Sequence, residues 1–289
     1  MSAVELPIVV GVDGSEPSLR AADWAADEAV LRGVPLRIVN ACLWERYEGA
    51  ALAHDLGEGA GRVLPQDVVR GAVRRAGARQ PDLKVTFEVV FEEPEYALVR
   101  ESRDASLLVT GTRGRGGMAE ALLGSVSLTV AGHAHCPVVV VRGSHDNQAR
   151  SGRHGRIVVG VGDTAAVNFA VEEAERRGVP VEAIRAWRCP AHENTDHPLL
   201  TGEPARLHEQ EAVETLDAAL QYVPADAELR RRTVEGPAGD ALVAASHQAD
   251  LLVVGARRRP RHFGLQLGRV AHRVLHHSAC PVTIVPEQG

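Results

Sequence analysis

Short apolar runs alternate with amphipathic stretches along the whole chain. Ile8 to Val12, Leu36 to Asn40, Leu107 to Thr110 and Val138 to Val141 are rich in Val, Ile and Leu and read as strands. Val85 to Phe91 alternates apolar and polar positions, which also predicts a strand. Between them the apolar positions recur with helical spacing. A helix is expected over Pro17 to Arg32, begun by Ser15 or Glu16 and closed by Gly33. Others are expected near Gln66 to Arg79, over Glu95 to Ser102, and from Gly124-Ser125 to about His135. Residues 43 to 62 show no period and read as irregular. Alternation of strands and helices predicts a parallel sheet with helices on both faces. The near-continuous apolar strands agree, because strands of such a sheet are buried on both sides.

The pattern is written twice. "PIVVGVDGS" at residue 7 returns as "RIVVGVGDT" at 156, and "GVPLRIVNA" at 33 as "GVPVEAIRA" at 178. "ASLLVTGTRGRGG" at 105 returns as "ADLLVVGARRRPR" at 249. Over this later part the shift is constant at 144 residues, from Gly111 to Gly255 and from Cys136 to Cys280. A period this long suits a duplicated domain, not a solenoid. The expected division is a first domain over 1–143, a polar linker over 144–154 and a second domain over 155–289. The fifth strand of each copy is wholly apolar, so the copies are expected to pair through Val138–Val141 and Val282–Val285.

Composition narrows the classes. A formal charge of -6 gives no overall basic field and argues against a dedicated nucleic-acid binder. No apolar run approaches the roughly 18 residues of a membrane span. The N-terminal "MSAVELPIVVGVDG" lacks the basic start and cleavage site of a signal peptide. Cys42, Cys136, Cys189 and Cys280 form no CxxC pair. A cytoplasmic protein with reduced thiols is expected.

A doubly wound sheet binds its ligand at the carboxyl ends of the strands, where strand order reverses. With five strands the reversal falls between the first and the fourth. The loops after those strands are "GVDGS", 11 to 15, and "GTRGRGG", 111 to 117. Their glycines let backbone N–H groups approach an anion, and the helix starting at Gly124-Ser125 adds its N-terminal N–H groups and dipole. Ser125 can cap that helix or donate to a phosphate oxygen, and Arg113 and Arg115 add positive charge. No GxxxxGK[ST] occurs, and no glycine-rich dinucleotide loop follows the first strand, which argues against a Walker-type or nicotinamide site.

Gly111, two residues, Gly114, nine residues, then Gly124-Ser125 resembles the G-2x-G-9x-G-[S/T] signature of ATP-binding universal stress proteins. With "VVGVDGS", "SLLVTGTRG" and "HCPVVVV", the resemblance covers nearly the whole chain, twice. It implies two tandem Rossmann-like domains of the adenine nucleotide α-hydrolase-like kind, each a five-stranded parallel sheet flanked by helices. It implies ATP or a related adenine nucleotide, possible company from Mg²⁺ beside Asp13, a homodimer, and a regulatory role in stress. By the same resemblance Gly111, Thr112, Arg113, Gly114, Arg115, Gly116 and Gly117 wrap the phosphates and ribose. Gly124, Ser125 and Val126 finish the phosphate end. Gly11, Val12 and Asp13 lie beside the adenosine, and the backbone of Ala41 meets the adenine.

Simpler readings stand beside these. Gly11 and Gly14 can merely shape a turn, and Asp13 can merely start a helix. Ser125 has no His or Lys at a spacing that suggests a nucleophile. His133, His135 and Cys136 sit where a helix ends, which suits cationic residues, and are not read as metal ligands. No general base or substrate-activating lysine stands out, so a binding protein with at most slow ATP hydrolysis is favoured over an adenylating enzyme. A scaffold that binds no nucleotide is the remaining alternative. In the second copy Gly160, Gly255, Gly268, Arg269 and Val270 match the site positions, but Arg258 replaces Gly114, Pro260 replaces Gly116 and Arg269 replaces Ser125. Weaker or lost binding is expected there, with its arginines facing an anion or the neighbouring domain; a solvated basic loop is the simpler alternative.

Overall fold

The computed structural model describes residues 5–44, 64–112, 123–142, 154–162, 164–189, 203–225, 227–256 and 267–287. The chain divides into two compact units, the first built on Met1–Ser151 and the second on Gly152–Arg258 with Leu267–Gly289. Each is a parallel sheet with helices packed on it. Of the expected linker 144–154, only His154 lies within the described residues. The irregular stretch expected over 43–62 also lies outside them, apart from residues 43 and 44.

The first unit runs β1 (Ile8–Gly11), α1 (Glu16–Arg32), β2 (Leu36–Ala41), α2 (Pro65–Arg79), β3 (Val85–Val90), α3 (Pro94–Glu101), β4 (Leu107–Gly111), α4 (Ser125–His133) and β5 (Val138–Val141). Its strands lie in the order β3-β2-β1-β4-β5. All the pairings are parallel, with Val10 opposite both Ile38 and Val109. The reversal falls between β1 and β4, as the alternation of elements implied. The second unit repeats this with β6 (Ile157–Gly160), α5 (Thr164–Arg177), β7 (Val181–Trp187), α6 (Glu203–Leu220), β8 (Leu229–Glu235), α7 (Ala238–Ser246), β9 (Leu251–Ala256), α8 (Arg269–His277) and β10 (Val282–Pro286). Its order is β8-β7-β6-β9-β10, again parallel.

The core is aliphatic because the chain has few rings. Ile8, Leu36, Ile38, Leu107 and Leu108 are fully buried in the first unit, and Ile157, Leu251 and Leu252 in the second. Adjacent residues of β1 and β4 show which helix covers which face. A Cβ on Gly11 would meet the Leu98 side chain of α3, whereas one on Gly111 would meet the Pro17 backbone of α1. The strands end one residue away from several of the expected limits. Gly111 is still within β4 and Ala41 within β2, paired to Val90, because the parallel ladder continues that far.

Candidate functional site

Three strands deliver the expected site residues of the first unit to one edge of its sheet. Gly11 ends β1, Ala41 ends β2 and Gly111 ends β4. The loop leaving β1 is pinned between its neighbours. The Val12 N–H donates to the Val39 carbonyl at 2.9 Å, and the Asn40 side-chain amide donates to the Val12 carbonyl at 2.7 Å. Asp13 then turns the chain into α1. Its Oδ1 accepts from the Ser15 N–H at 3.0 Å and from the Ser15 hydroxyl at 2.6 Å. Ser15 is the N-cap and accepts from the Ser18 N–H. The helix-start role of Asp13 is therefore real. That Oδ1 is engaged in the turn.

The start of α4 lies against the end of β4. The Gly124 N–H donates to the Thr112 carbonyl at 2.7 Å. The buried Ser127 hydroxyl donates to the Gly111 carbonyl at 2.6 Å. These two bonds hold the first turn of α4 against the carboxyl end of β4, beside β1. Arg113, Gly114, Arg115, Gly116 and Gly117 lie outside the described residues. Gly124 is the N-cap of α4, with extended backbone and no side-chain cap. Ser125 is thus the first helical residue and not the cap, a correction to one reading of the sequence. An extended Gly124 ahead of it leaves no β-carbon at the cap position. The Ser125 hydroxyl donates to Glu95 Oε1 at 3.2 Å, and Val126 follows it in the first turn.

Gly111 needs its missing side chain for a reason other than a ligand. A Cβ there would lie 2.5 Å from the Pro17 carbonyl oxygen. That contact is with backbone, which cannot swing away. The space that the sequence suggested was for an anion is occupied, on that side, by the start of α1.

Among the described residues, two buried polar atoms at this edge have no hydrogen-bond partner: Asn40 Oδ1 and Thr110 Oγ1. Both side chains are about nineteen-twentieths buried or more, at 5% and 3% exposure. An unmet buried acceptor or donor costs about 1–3 kcal/mol. Neither residue, nor Ser127 or Glu95, was singled out from the sequence. A polar residue interrupting an apolar strand at its carboxyl end, as in "LRIVNA" and "LLVTG", was the available signal.

In the second unit Gly160 ends β6, Gly255 lies in β9, Gly268 is the uncapped N-cap of α8, and Arg269 and Val270 open that helix. Here the Arg185 guanidinium donates to the Val161 carbonyl at 3.0 Å, doing the work of Asn40. Val254 stands where Thr110 stood, and Ala271 where Ser127 stood. Arg257 to Arg261 and Asp163 lie outside the described residues. His133 Nδ1 lies 2.8 Å from the Thr129 carbonyl oxygen. The His135 N–H donates to Ser102. Cys136 and Cys280 are buried, and burial pushes both thiols up to about 12. Such thiols are poor nucleophiles and poor metal ligands.

The universal stress protein family model matches residues 6–142 and again residues 154–286. The chain belongs to the universal stress protein family. A universal stress protein of Mycobacterium tuberculosis is 33% identical over 289 residues, spanning 96% of each chain. The crystal structure of a universal stress protein from Archaeoglobus fulgidus covers 98% of both chains with a TM-score of 0.67 at 17% identity, a likeness of fold. A crystal structure of a universal stress protein in complex with cAMP covers 48% of this chain and 98% of its own, at 31% identity and a TM-score of 0.37. Both domains of the present chain are thus universal stress domains, and the likeness to the Mycobacterium tuberculosis relative runs through both. Among the described residues no helix is long and apolar enough to cross a membrane.

Proposed function

We propose that the first domain binds ATP and that the chain acts as a nucleotide-dependent regulator in the stress response. The observation that carries this is the start of α4 held against the end of β4. The Gly124–Thr112 and Ser127–Gly111 hydrogen bonds bring an uncapped helix start to the point of strand reversal. Backbone N–H groups at a helix start, with no side chain in front of them, suit a phosphate. The residues between are the glycine- and arginine-rich part of the signature. The unpartnered Asn40 and Thr110 atoms at the same edge support a polar ligand.

In this reading Gly111 to Gly117 and Gly124 to Val126 surround the triphosphate, with Gly11, Val12, Asp13 and Ala41 beside the nucleoside. The phosphates would carry any Mg²⁺, with Asp13 the adjacent carboxylate. In this reading the nucleotide is a bound signal more than a substrate. The proposal extends to a homodimer, to pairing of the two domains and to a cytoplasmic setting. The second domain, with Arg185, Val254, Ala271 and Arg269 in place of the polar groups of the first, is proposed to bind weakly or not at all.

Denaturing the purified protein and identifying the released small molecules by mass spectrometry tests the function directly. An adenine nucleotide near one per chain is expected. Protein that carries none, and takes up none from a millimolar ATP solution, would favour the scaffold reading.

A further inference from the structure

Asn40 offers more than the fold requires of it. Its amide nitrogen donates to the Val12 carbonyl at 2.7 Å. This fixes which end of the carboxamide is oxygen, since the flipped group would set two acceptors against each other. The oxygen that remains is buried and has no partner. Buried acceptors in native proteins are almost always satisfied, so an exception asks for a cause.

The second domain provides the control. Its strand β7 pairs with β6 in the same register as β2 with β1, Ile157 opposite Val181 where Ile8 is opposite Leu36. Arg185 falls at the position of Asn40. It also donates to the carbonyl of the residue following the first strand, Val161, at 3.0 Å. Both domains therefore need a donor at this position to hold the loop. Neither fold needs an acceptor there, because guanidinium has none to give. Thr110 repeats the lesson in β4, on the other side of β1: its hydroxyl is buried and, among the described residues, unpartnered, and the second domain builds the same strand with Val254, also buried. The unpartnered buried hydroxyls of the second domain, on Ser278 and Thr283, lie at the C-cap of α8 and inside β10, not at the carboxyl ends of β6 and β9.

We propose that Asn40 is a specificity-determining residue that accepts a hydrogen bond from an N–H or O–H donor on the nucleoside, and that Arg185 denies this bond to the second domain. This rests on nucleotide binding in the first domain. Two groups of ATP have the required chemistry: the exocyclic amine of the base and a ribose hydroxyl. The position beside Val12 and directly before Ala41 puts the acceptor at the nucleoside end of the site, away from the α4 helix start.

The test is calorimetric titration of the full chain and of Asn40→Arg with ATP, ITP, 2′-deoxy-ATP and 3′-deoxy-ATP. Asn40→Arg keeps a donor for Val12 and removes the acceptor. The native chain should bind one of the three analogues about tenfold more weakly than ATP, since a buried acceptor is then left unmet. Asn40→Arg should lose about tenfold for ATP and leave that analogue within about twofold. Discrimination against ITP assigns the amine, and discrimination against a deoxy form assigns the hydroxyl. Equal weakening of all four ligands by Asn40→Arg would make Asn40 a structural residue only and overturn the proposal. Should the variant not fold, the native chain decides alone: equal affinity for all four means that no donor is read. A native chain that binds none of them overturns the site itself, a different failure from equal binding.

Discussion

In the first domain the Ser102 hydroxyl donates to the Val99 carbonyl at 2.6 Å and accepts from the His135 N–H at 2.9 Å. In the second, Ser246 donates to the Val243 carbonyl at 2.6 Å and accepts from the Ala279 N–H at 2.9 Å. The agreement continues along the amino-terminal edge of each sheet. Gly33 and Gly178 both follow the first helix in the left-handed region, at φ 70° and 63°. Glu28 pairs with Arg32, and Glu173 with Arg177, each glutamate fully buried. At the carboxyl edge the correspondence fails. Asn40, Thr110, Ser127, Ser125, Asp13 and Glu95 become Arg185, Val254, Ala271, Arg269, Gly162 and Gly239. Two copies of one fold thus separate what folding needs from what it does not. Polar groups kept in both copies tie elements together. Of the buried polar groups particular to the first copy, Asn40, Thr110 and Ser127 gather at the edge where a ligand would sit, whereas Asp27, which accepts from Arg79 and Gln80, joins α1 to the end of α2 at the other edge.

The strongest way to break this division is Gly111→Ala. Its Cβ would press on the Pro17 carbonyl, so unfolding in urea should show a loss of about 3 kcal/mol. Gly268→Ala, at a helix start with nothing within 4 Å of the added atom, should change stability by less than about 1 kcal/mol. Loss of ATP binding in Gly111→Ala would therefore not by itself identify a phosphate site.

Ser102→Ala and Ser246→Ala should each lower stability by about 1 kcal/mol, since each removes a part-buried hydrogen bond, from the His135 or the Ala279 N–H. Neither should alter ATP affinity. A change in affinity from Ser102→Ala would blur the line between the two edges. Ser127→Ala sharpens it from the other side. It gives the first domain the residue of the second and removes the bond to Gly111. Affinity for ATP should fall about fivefold, read by calorimetry, while stability drops by only about 1 kcal/mol. The smallest effect expected is at Glu95. Its carboxylate sits on Ser125 at the α4 start, where it would repel a phosphate bound there. Glu95→Gln should tighten ATP about threefold at low salt and less at high salt, because the charge is screened.

The fold was legible because the two periodicities were clean and the chain repeated itself. Val/Ile/Leu runs of four to seven residues, each followed by a helical period, allow little but a parallel sheet. The reversal between β1 and β4 followed from the strand count. Strand limits slipped by a residue at Gly111 and Ala41, since ladder pairing and not side-chain type decides where a strand stops. The candidate site showed in the sequence through its glycines. What the sequence cannot display is Pro17 pressed against Gly111. Ser127 and Thr110 were missed because a hydroxyl inside an apolar run looks like an ordinary strand or helix residue until its partner, or lack of one, is visible. Glu95 was missed because 30 residues separate it from Ser125.

The central claim is that one domain of the two binds the nucleotide. Titration of nucleotide-free protein with ATP, in the native chain and in Gly114→Asp, measures it most directly. One high-affinity site per chain is expected, and Gly114→Asp should abolish it while the unfolding midpoint without nucleotide stays unchanged. Two sites of equal affinity, or tight binding that survives Gly114→Asp, would contradict the division between the domains.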